Sequence, residues 1–246
     1  MIPVPGIRPV KELLHHNPAR VKEVWIARQR TLSRLTDIIA ICEKEGIPLY
    51  YKHMDEISHL VPDVYHQGVV AIIAEFGHAC LEELISRVKR VSERSLILAL
   101  DHITDEGNLA SILRTAAFFG VHGVLIPKNR SVSISPQVIK RSAGGCFYVP
   151  VVRVTNMARA LKRLKEEGIW IIGTSHKGRV SLYEFDWDRD LVLILGNEEK
   201  GIGHAVEKLC DELVSIPVYG KIESLNVGVA TGIFLSEITR VRINPS

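Results

Sequence analysis

Apolar positions in the last two thirds of the chain form short continuous runs, which alternate with segments of helical periodicity. The clearest runs are LILAL at 96–100 and LVLIL at 191–195. A strand with one face in water alternates apolar and polar residues, so continuous runs indicate strands that are buried on both faces. We therefore predict an α/β fold with a parallel sheet covered by helices on each side. Strands are predicted at 95–100, 123–126, 148–152, 170–174, 191–195 and 213–216, and helices at 108–119, 136–142, 157–167, 204–210 and 226–241.

The first 76 residues predict a smaller α/β unit. Helices are predicted at 9–15 and 32–44, and strands rich in β-forming residues at 23–27, 49–51 and 69–76. A new helix is expected at 81–91, shortly after Gly77 and His78. These patterns predict two domains, one at 1–76 and the other at 77–246.

The composition is ordinary for a globular protein, with 246 residues of which 46% are hydrophobic and 24% are charged. No apolar run approaches the ~20 residues of a membrane helix, and the first residues lack the apolar core of a signal peptide. The cysteines are scattered, without the spacing of a metal site or a disulfide framework. This pattern predicts reduced, mostly buried thiols, no metal and a cytoplasmic location. The four cysteines are Cys42, Cys80, Cys146 and Cys210.

The net charge of +3 conceals an uneven distribution. No aspartate or glutamate occurs at 107–165, although lysine and arginine recur throughout that segment. Positive charge without compensating acids favours a polyanionic partner such as RNA, although a solvated surface is the alternative reading. The basic residues are Arg114, Lys128, Arg130, Lys140, Arg141, Arg153, Arg159, Lys162, Arg163 and Lys165.

The segment at 105–120, DEGNLASILRTAAFFG, follows a predicted buried strand. Its apolar residues recur at helical spacing, and Asn108 occupies the expected N-cap position. Arg114 lies off the apolar stripe and therefore faces outward or toward a cleft. Its guanidinium is either an ordinary surface group or a planar donor for phosphate and ribose.

Two later segments also follow predicted strands. LVLILGNEEKGIG at 191–203 has a glycine-rich turn with Glu198 in it, and the turn lacks the Lys-Ser/Thr pair of a phosphate-binding P-loop. SIPVYGKIESLNVGVATGIFLSE at 215–237 leads through a loop into a helix that Ser224 can cap. Open α/β sheets bind ligands where such loops follow their strands.

Taken together, these three segments resemble the signature motifs of the SpoU-TrmH (SPOUT) RNA ribose methyltransferases. GIRPVKELL and HQGVVAI in the first domain, and VHGVLIPKNRS further on, resemble the bacterial 23S rRNA guanosine-2′-O-methyltransferases. The resemblance implies an N-terminal substrate-binding domain, a catalytic α/β domain with a trefoil knot at about 193–238, and a homodimer. Val218, Ala110 and Gly228 depart from the common pattern, but none of them removes a functional side chain.

The resemblance also implies the site and its chemistry. S-adenosylmethionine would be bound by Thr174, Gly196, Asn197, Ile216, Leu225 and Asn226. The implied catalytic residues are Asn108, Arg114, Glu198, Ser224 and Asn226. The family mechanism assigns the ribose hydroxyl proton to the arginine, here Arg114. Because arginine stays protonated in proteins, we expect it to orient the hydroxyl and a phosphate while a phosphate oxygen or water takes the proton.

Two other readings remain open from the sequence. One is an enzyme of the same family with another target, either a tRNA ribose methyltransferase or an rRNA enzyme aimed at another nucleotide. The other is a non-catalytic RNA-binding protein that serves ribosome assembly. The additional N-terminal domain favours rRNA, because the minimal tRNA enzymes generally lack it. The full set of implied catalytic side chains favours an enzyme.

Overall fold

The computed structural model describes residues 1–28, 32–198, 200–222 and 224–243, apart from the side chain of Leu32. The chain divides into two compact units. The first unit comprises Met1–Gly77 with Ile134–Tyr148, and the second comprises His78–Ser133 with the remainder from Val149. Whether 1–76 and 77–246 are independent domains stays a prediction.

The helices in chain order are α1 Ile7–His16, α2 Thr36–Glu45, α3 Met54–Leu60, α4 Leu81–Val88, α5 Glu106–Phe118, α6 Pro136–Arg141, α7 Met157–Lys165, α8 His204–Glu207 and α9 Val227–Ile243. The strands are β1 Ile2–Pro5, β2 Val21–Ala27, β3 Leu49–Lys52, β4 Val69–Ile73, β5 Leu96–Leu100, β6 Gly123–Pro127, β7 Val151–Val154, β8 Trp170–Thr174, β9 Val180–Ser181, β10 Leu191–Leu195 and β11 Glu212–Ser215. Single 3₁₀ turns lie at Pro18–Arg20, Leu32–Arg34 and Gly145–Phe147.

The first unit contains a four-stranded sheet in the order β1-β4-β2-β3. Strand β4 pairs antiparallel with both β1 and β2, whereas β2 and β3 are parallel. Helix α6 packs against β1 in this unit, although 57 or more residues of sequence separate it from the rest.

The second unit contains a seven-stranded sheet in the order β7-β6-β5-β10-β8-β11-β9. Every neighbouring pair in it is parallel. All residues of the central strands β5 and β10 are buried, as the continuous apolar runs predict. The prediction of an α/β fold with a parallel sheet is therefore confirmed. Because the strands are parallel, their carboxyl ends all lie at one edge, which we call the carboxyl edge.

Several predicted boundaries are wrong, for local reasons. Helix α5 begins at Glu106, because Asp105 caps it by accepting a hydrogen bond from Asn108 N at 2.7 Å. Asn108 is therefore inside the helix and is not its cap. Strand β7 begins at Val151, since the chain makes a 3₁₀ turn just before Tyr148, whose hydroxyl donates to Glu12 in the first unit. Helix α3 and strands β1 and β9 are not predicted from the sequence pattern.

The cysteines are all free thiols. Cys42 and Cys146 are buried, Cys210 is half-buried and Cys80 is exposed, so the prediction of mostly buried thiols is only partly correct. Burial raises the pKa of Cys146 to about 12. Cys80 caps α4, because its Sγ accepts from Glu83 N.

In the part of the chain that the structure describes, no helix is long and apolar enough to cross a membrane. Nor do three or more His, Cys, Asp or Glu side chains gather there in a group that could hold a metal ion.

Candidate active site at the carboxyl edge

The candidate residues lie at the point in the sheet where the order of successive strands reverses. Strand β10 is central, with β5, β6 and β7 following on one side and β8, β11 and β9 on the other. In open α/β sheets, such a switch point leaves a crevice beyond the carboxyl ends of the strands. The loops after β5 and β10 both begin here, and Asp101 N donates to Leu195 O at 2.8 Å.

Three candidate catalytic side chains meet in one hydrogen-bonded group, which we call the Glu198 cluster: Glu198, Asn108 and Asn226. Glu198 Oε1 accepts from Asn108 Nδ2 at 3.0 Å and from Asn226 Nδ2 at 2.8 Å. The same oxygen accepts from the backbone nitrogen of Val227 at 3.2 Å. Asn226 Nδ2 also reaches Asn108 Oδ1 at 2.8 Å. The cluster joins three segments that are far apart in sequence.

Asn226 also starts helix α9. Its Oδ1 accepts from Gly228 N at 3.0 Å and from Val229 N at 3.4 Å, which is the bonding of an N-cap. The prediction that Ser224 caps this helix is therefore wrong, and Ser224 lies exposed in the preceding loop. With Oδ1 used for the cap, the amide nitrogen of Asn226 is directed at Glu198.

Arg114 lies outside the cluster on the same helix as Asn108. It is exposed, as its position off the apolar stripe predicts. Six residues of helix separate it from Asn108, or ~9 Å along the axis. Within the described residues Arg114 forms no ion pair, so its charge is available to a ligand.

A cavity of about 540 Å³ opens beside the cluster, between the ends of β8, β10 and β11 and the loop before α9. Its volume is in the range of small-molecule sites. The implied cofactor residues Thr174, Gly196, Asn197, Ile216 and Leu225 line it, together with Glu198 and Ser224. Asn226 is not among the lining residues, but its amide nitrogen donates to Glu198, which lines the cavity. A larger cavity of about 920 Å³ lies at the opposite edge of the sheet and contains none of the candidate residues.

The glycine-rich turn after β10 forms one wall of the smaller cavity. Asn197 and Gly201 exchange backbone hydrogen bonds of 3.1 and 2.8 Å across this turn. A Cβ atom on Gly196 would lie 2.3 Å from the carbonyl carbon of Gly201, which is far closer than real Cβ contacts. Only glycine fits at position 196 without moving the turn. Glu199, in the same turn, lies outside the described residues.

Side chains also connect the cavity wall to the strands. Thr174 Oγ1 donates to Ile194 O at 2.9 Å and so ties the end of β8 to β10. Asn197 Nδ2 donates to His102 O at 3.1 Å and ties the glycine turn to the loop after β5.

Two polar residues of this edge are missed by the sequence reasoning, Asp101 and His102. Asp101 is buried, and its Oδ2 accepts from Gly203 N at 2.7 Å. His102 Nδ1 lies 2.7 Å from Asp101 Oδ1, so this ring nitrogen carries the proton. His102 has a left-handed backbone with φ of 60°. An Asp-His pair directly after LILAL is the signal that could have identified them, because it stands at the carboxyl end of a buried strand.

The chain is similar to known proteins over most of its length. Residues 95–236 match the model of the SpoU rRNA Methylase family, and residues 3–79 match the model described as RNA 2′-O ribose methyltransferase substrate binding. The chain is 38% identical over 240 residues to the 23S rRNA (guanosine-2′-O-)-methyltransferase RlmB of Pseudomonas putida, covering 96% of this chain and 95% of that protein. The same enzyme of Neisseria meningitidis is 38% identical over 242 residues, covering 98% and 96%.

Solved structures give the same picture. The SpoU methyltransferase AviRb from Streptomyces viridochromogenes, in complex with the cofactor AdoMet, superposes with a TM-score of 0.81 at 26% identity. That match covers 98% of this chain and 90% of AviRb. The A. aeolicus TrmH/SpoU tRNA modifying enzyme has a TM-score of 0.56 at 31% identity and covers 66% of this chain and 84% of its own.

We expect Gly196→Ala to lower the free energy of unfolding by about 1–3 kcal/mol, because the new methyl group overlaps the backbone of Gly201. Gly220→Ala is the matched control, since Gly220 lines the same cavity and a Cβ there meets nothing within 4 Å. It should be neutral or stabilising by up to ~1 kcal/mol, through the lower entropy of the unfolded chain. Urea unfolding of both variants measures the difference. Equal stabilities would show that the turn relaxes around the added carbon.

Proposed function

The chain belongs to the SpoU rRNA Methylase family, and on that premise we propose that it methylates the 2′-hydroxyl of a guanosine ribose in 23S rRNA, with S-adenosylmethionine as methyl donor. Similarity to the RlmB enzymes over nearly the whole of both chains supports this reaction and this substrate. The match of residues 3–79 to a substrate-binding model supports RNA as the partner of the first unit. The observation that carries the proposal is the Glu198 cluster beside a cavity of cofactor size.

The residues present fit the methyl donor. The cavity is large enough, and one of its walls is the backbone of the turn at Gly196. Backbone donors and acceptors at such a turn suit adenine and ribose, and Ile216 and Leu225 add apolar surface. We infer that Thr174, Gly196, Asn197, Ile216 and Leu225 hold the cofactor. Asn226, which does not line the cavity, acts on it only through Glu198.

The bound sulfonium supplies an activated methyl group, whose bond to sulfur breaks as the ribose 2′-oxygen bonds to the methyl carbon. The task of the protein is therefore mainly to hold the two reactants in line. The Glu198 cluster fixes the amides of Asn108 and Asn226 at the end of the cavity. Ser224 is exposed in the cavity wall, so its hydroxyl is free to contact the nucleotide.

Arg114 has a different role in this proposal. Its guanidinium stays protonated, so it cannot serve as a base. Its planar donors suit the simultaneous binding of the 2′-oxygen and a neighbouring phosphate. We assign the hydroxyl proton to a phosphate oxygen or to water, with Arg114 stabilising the negative charge that develops on the 2′-oxygen.

The tRNA reading has weaker support. The similarity to the A. aeolicus tRNA modifying enzyme covers 66% of this chain, whereas the RlmB enzymes match 96% or more. A non-catalytic RNA-binding protein would not need the Glu198 cluster. The knot at about 193–238 and a cytoplasmic location stay predictions.

The first test is methyl transfer from labelled S-adenosylmethionine to unmodified 23S rRNA, with 16S rRNA and tRNA as controls. We expect incorporation at one guanosine of 23S rRNA and no incorporation into the controls. Incorporation into tRNA alone would keep the chemistry and overturn the substrate. Cofactor binding without transfer to any RNA, including precursors of the large subunit, would favour the assembly reading.

We expect Arg114→Lys to lower kcat by about 100-fold or more, because one ammonium cannot replace the two-pronged donor geometry of arginine. Binding of S-adenosylmethionine, measured by calorimetry, should not change, since Arg114 does not line the cavity. Arg87→Lys, at an exposed site on α4, is the control and should keep the normal rate. A rate near that of the unmodified enzyme would remove Arg114 from the mechanism.

We propose that the enzyme is a homodimer. Large apolar side chains are exposed in and after the loop beside the cavity, and Tyr219 and Ile222 are 97% and 77% exposed. Contiguous exposed apolar surface is typical of a protein interface. Sedimentation velocity should give about twice the 27.5 kDa of one chain, and Tyr219→Glu with Ile222→Glu should lower that mass. A single-chain mass at micromolar concentration would contradict the dimer.

A further inference from the structure

The fold sorts the basic residues of the acid-free segment 107–165 into groups with different surroundings. Lys140 and Arg141 belong to α6, in the first unit. Arg163 binds Glu82 and Glu167, and Lys165 binds Asp211, so these two charges are largely neutralised. A third group is associated with β6 and β7: Lys128 and Arg130 follow β6, Arg153 is on β7 and Arg159 is in the first turn of α7.

The third group lies at the same edge as the Glu198 cluster. Strands β6 and β7 continue the sheet outward from β5, and all three are parallel. Their following loops must therefore emerge at the carboxyl edge. Val132 N donates to Ile103 O at 3.0 Å, which joins the loop after β6 to the loop after β5. Three strand spacings separate β10 from β7, or ~15 Å.

Lys128, Arg130 and Arg159 are exposed cations at this edge, and we call them the basic track. None of them forms an ion pair with another residue that the structure describes. Ala79 forms a parallel bridge with Val152 of β7, and two acids follow it in the first turn of α4. Both acids already have hydrogen-bond partners. Glu82 binds Arg163, and Glu83 accepts from Cys80 N at 2.9 Å.

Arg153 lies beneath the track and binds the backbone of one of its residues. It is half-buried on β7, and its Nη2 donates to Lys128 O at 2.8 Å. Its Nε is buried and has no hydrogen-bond partner within the described part of the chain. Arg153 thus holds the backbone of Lys128 in place and adds positive charge beneath it. Arg130, two residues later, has a left-handed backbone with φ of 55°.

We propose that the basic track binds the phosphate backbone of the substrate RNA beside the nucleotide that enters the active site, with Arg153 as a positioning residue. This inference rests on the proposed function and names the part of the catalytic unit that holds its substrate. The ~15 Å between β10 and β7 corresponds to about four nucleotides at ~3.4 Å each, so the track holds phosphates within about four nucleotides of the target. Because the track offers cations without aromatic side chains, it contacts phosphates and reads no bases, so it contributes affinity without sequence preference.

The test compares two double variants of the full-length chain. Lys128→Gln with Arg130→Gln removes two charges at the carboxyl edge. Arg87→Gln with Arg90→Gln removes two exposed charges near the end of α4, which leads to the amino end of β5. Binding of unmodified 23S rRNA transcribed in vitro is measured by filter retention across salt concentrations, together with methyl transfer and S-adenosylmethionine binding.

The track variant should bind the transcript roughly tenfold to thirtyfold more weakly at ~0.1 M salt, with the log–log salt slope reduced by about 1.4. Its KM for RNA should rise, while kcat at saturating RNA and cofactor binding stay within about twofold. Arg159→Gln, on a separate element, should reduce the slope by about 0.7. The control pair should bind as the unmodified protein does.

Two outcomes would overturn the inference. One is an unchanged salt slope for the track variant, and the other is an equal loss for the control pair, which would be an effect of net charge. These outcomes differ from a failure of the proposed function. In that case the unmodified protein would bind 23S rRNA without methylating it. Arg153→Met serves as a second probe, since it should raise KM for RNA although its side chain is not in the track.

Discussion

The parallel pairing of β5 with β10 is the constraint on which the site depends. Leu96 pairs with Leu191 and Leu100 with Leu195, so the two strands run in step and end at the same level. Both strands are buried over their full length, which makes a slip in register costly. The loops that follow must therefore emerge side by side. Asp101 connects the two loops, because its carboxylate accepts a hydrogen bond from Gly203 N in the loop after β10.

The Glu198 cluster depends on that arrangement in turn. Glu198 is carried by the loop after β10, Asn108 by the helix after β5, and Asn226 by the start of α9. A carboxylate has only acceptor sites, so it can gather amide donors from several segments at once. In this way Glu198 Oε1 is committed to Asn108 and Asn226, and within the described residues Arg114 forms no ion pair. The arginine keeps its charge for the phosphates of a ligand.

The fold also decides which of the basic residues are paired with acids. In the sequence, the acid-free segment reads as one uniformly basic stretch. In the fold, Arg163 pairs with Glu82 and Lys165 with Asp211, both acids from other segments, so these two cations contribute little to a positive surface. Exposed ion pairs of this kind also contribute little to stability. In the described part of the chain Lys128 and Arg130 form no such pair, and both side chains are exposed.

The sequence by itself determined the α/β class, the buried central strands and the three segments that form the site, because burial on both faces leaves a continuous apolar run. Motif resemblance pointed to Asn108, Glu198 and Asn226, whose side chains meet in one hydrogen-bonded group in the fold. The sequence did not determine which residues cap the helices, since Asp105 and Asn226 compete with neighbours of equal capping propensity. It also did not reveal Asp101 or the division of the basic residues into paired and unpaired groups. Only the tertiary structure decided these features, because hydrogen bonds and ion pairs depend on distances between segments that are remote in the chain, whereas periodicity records only the burial of each segment by itself.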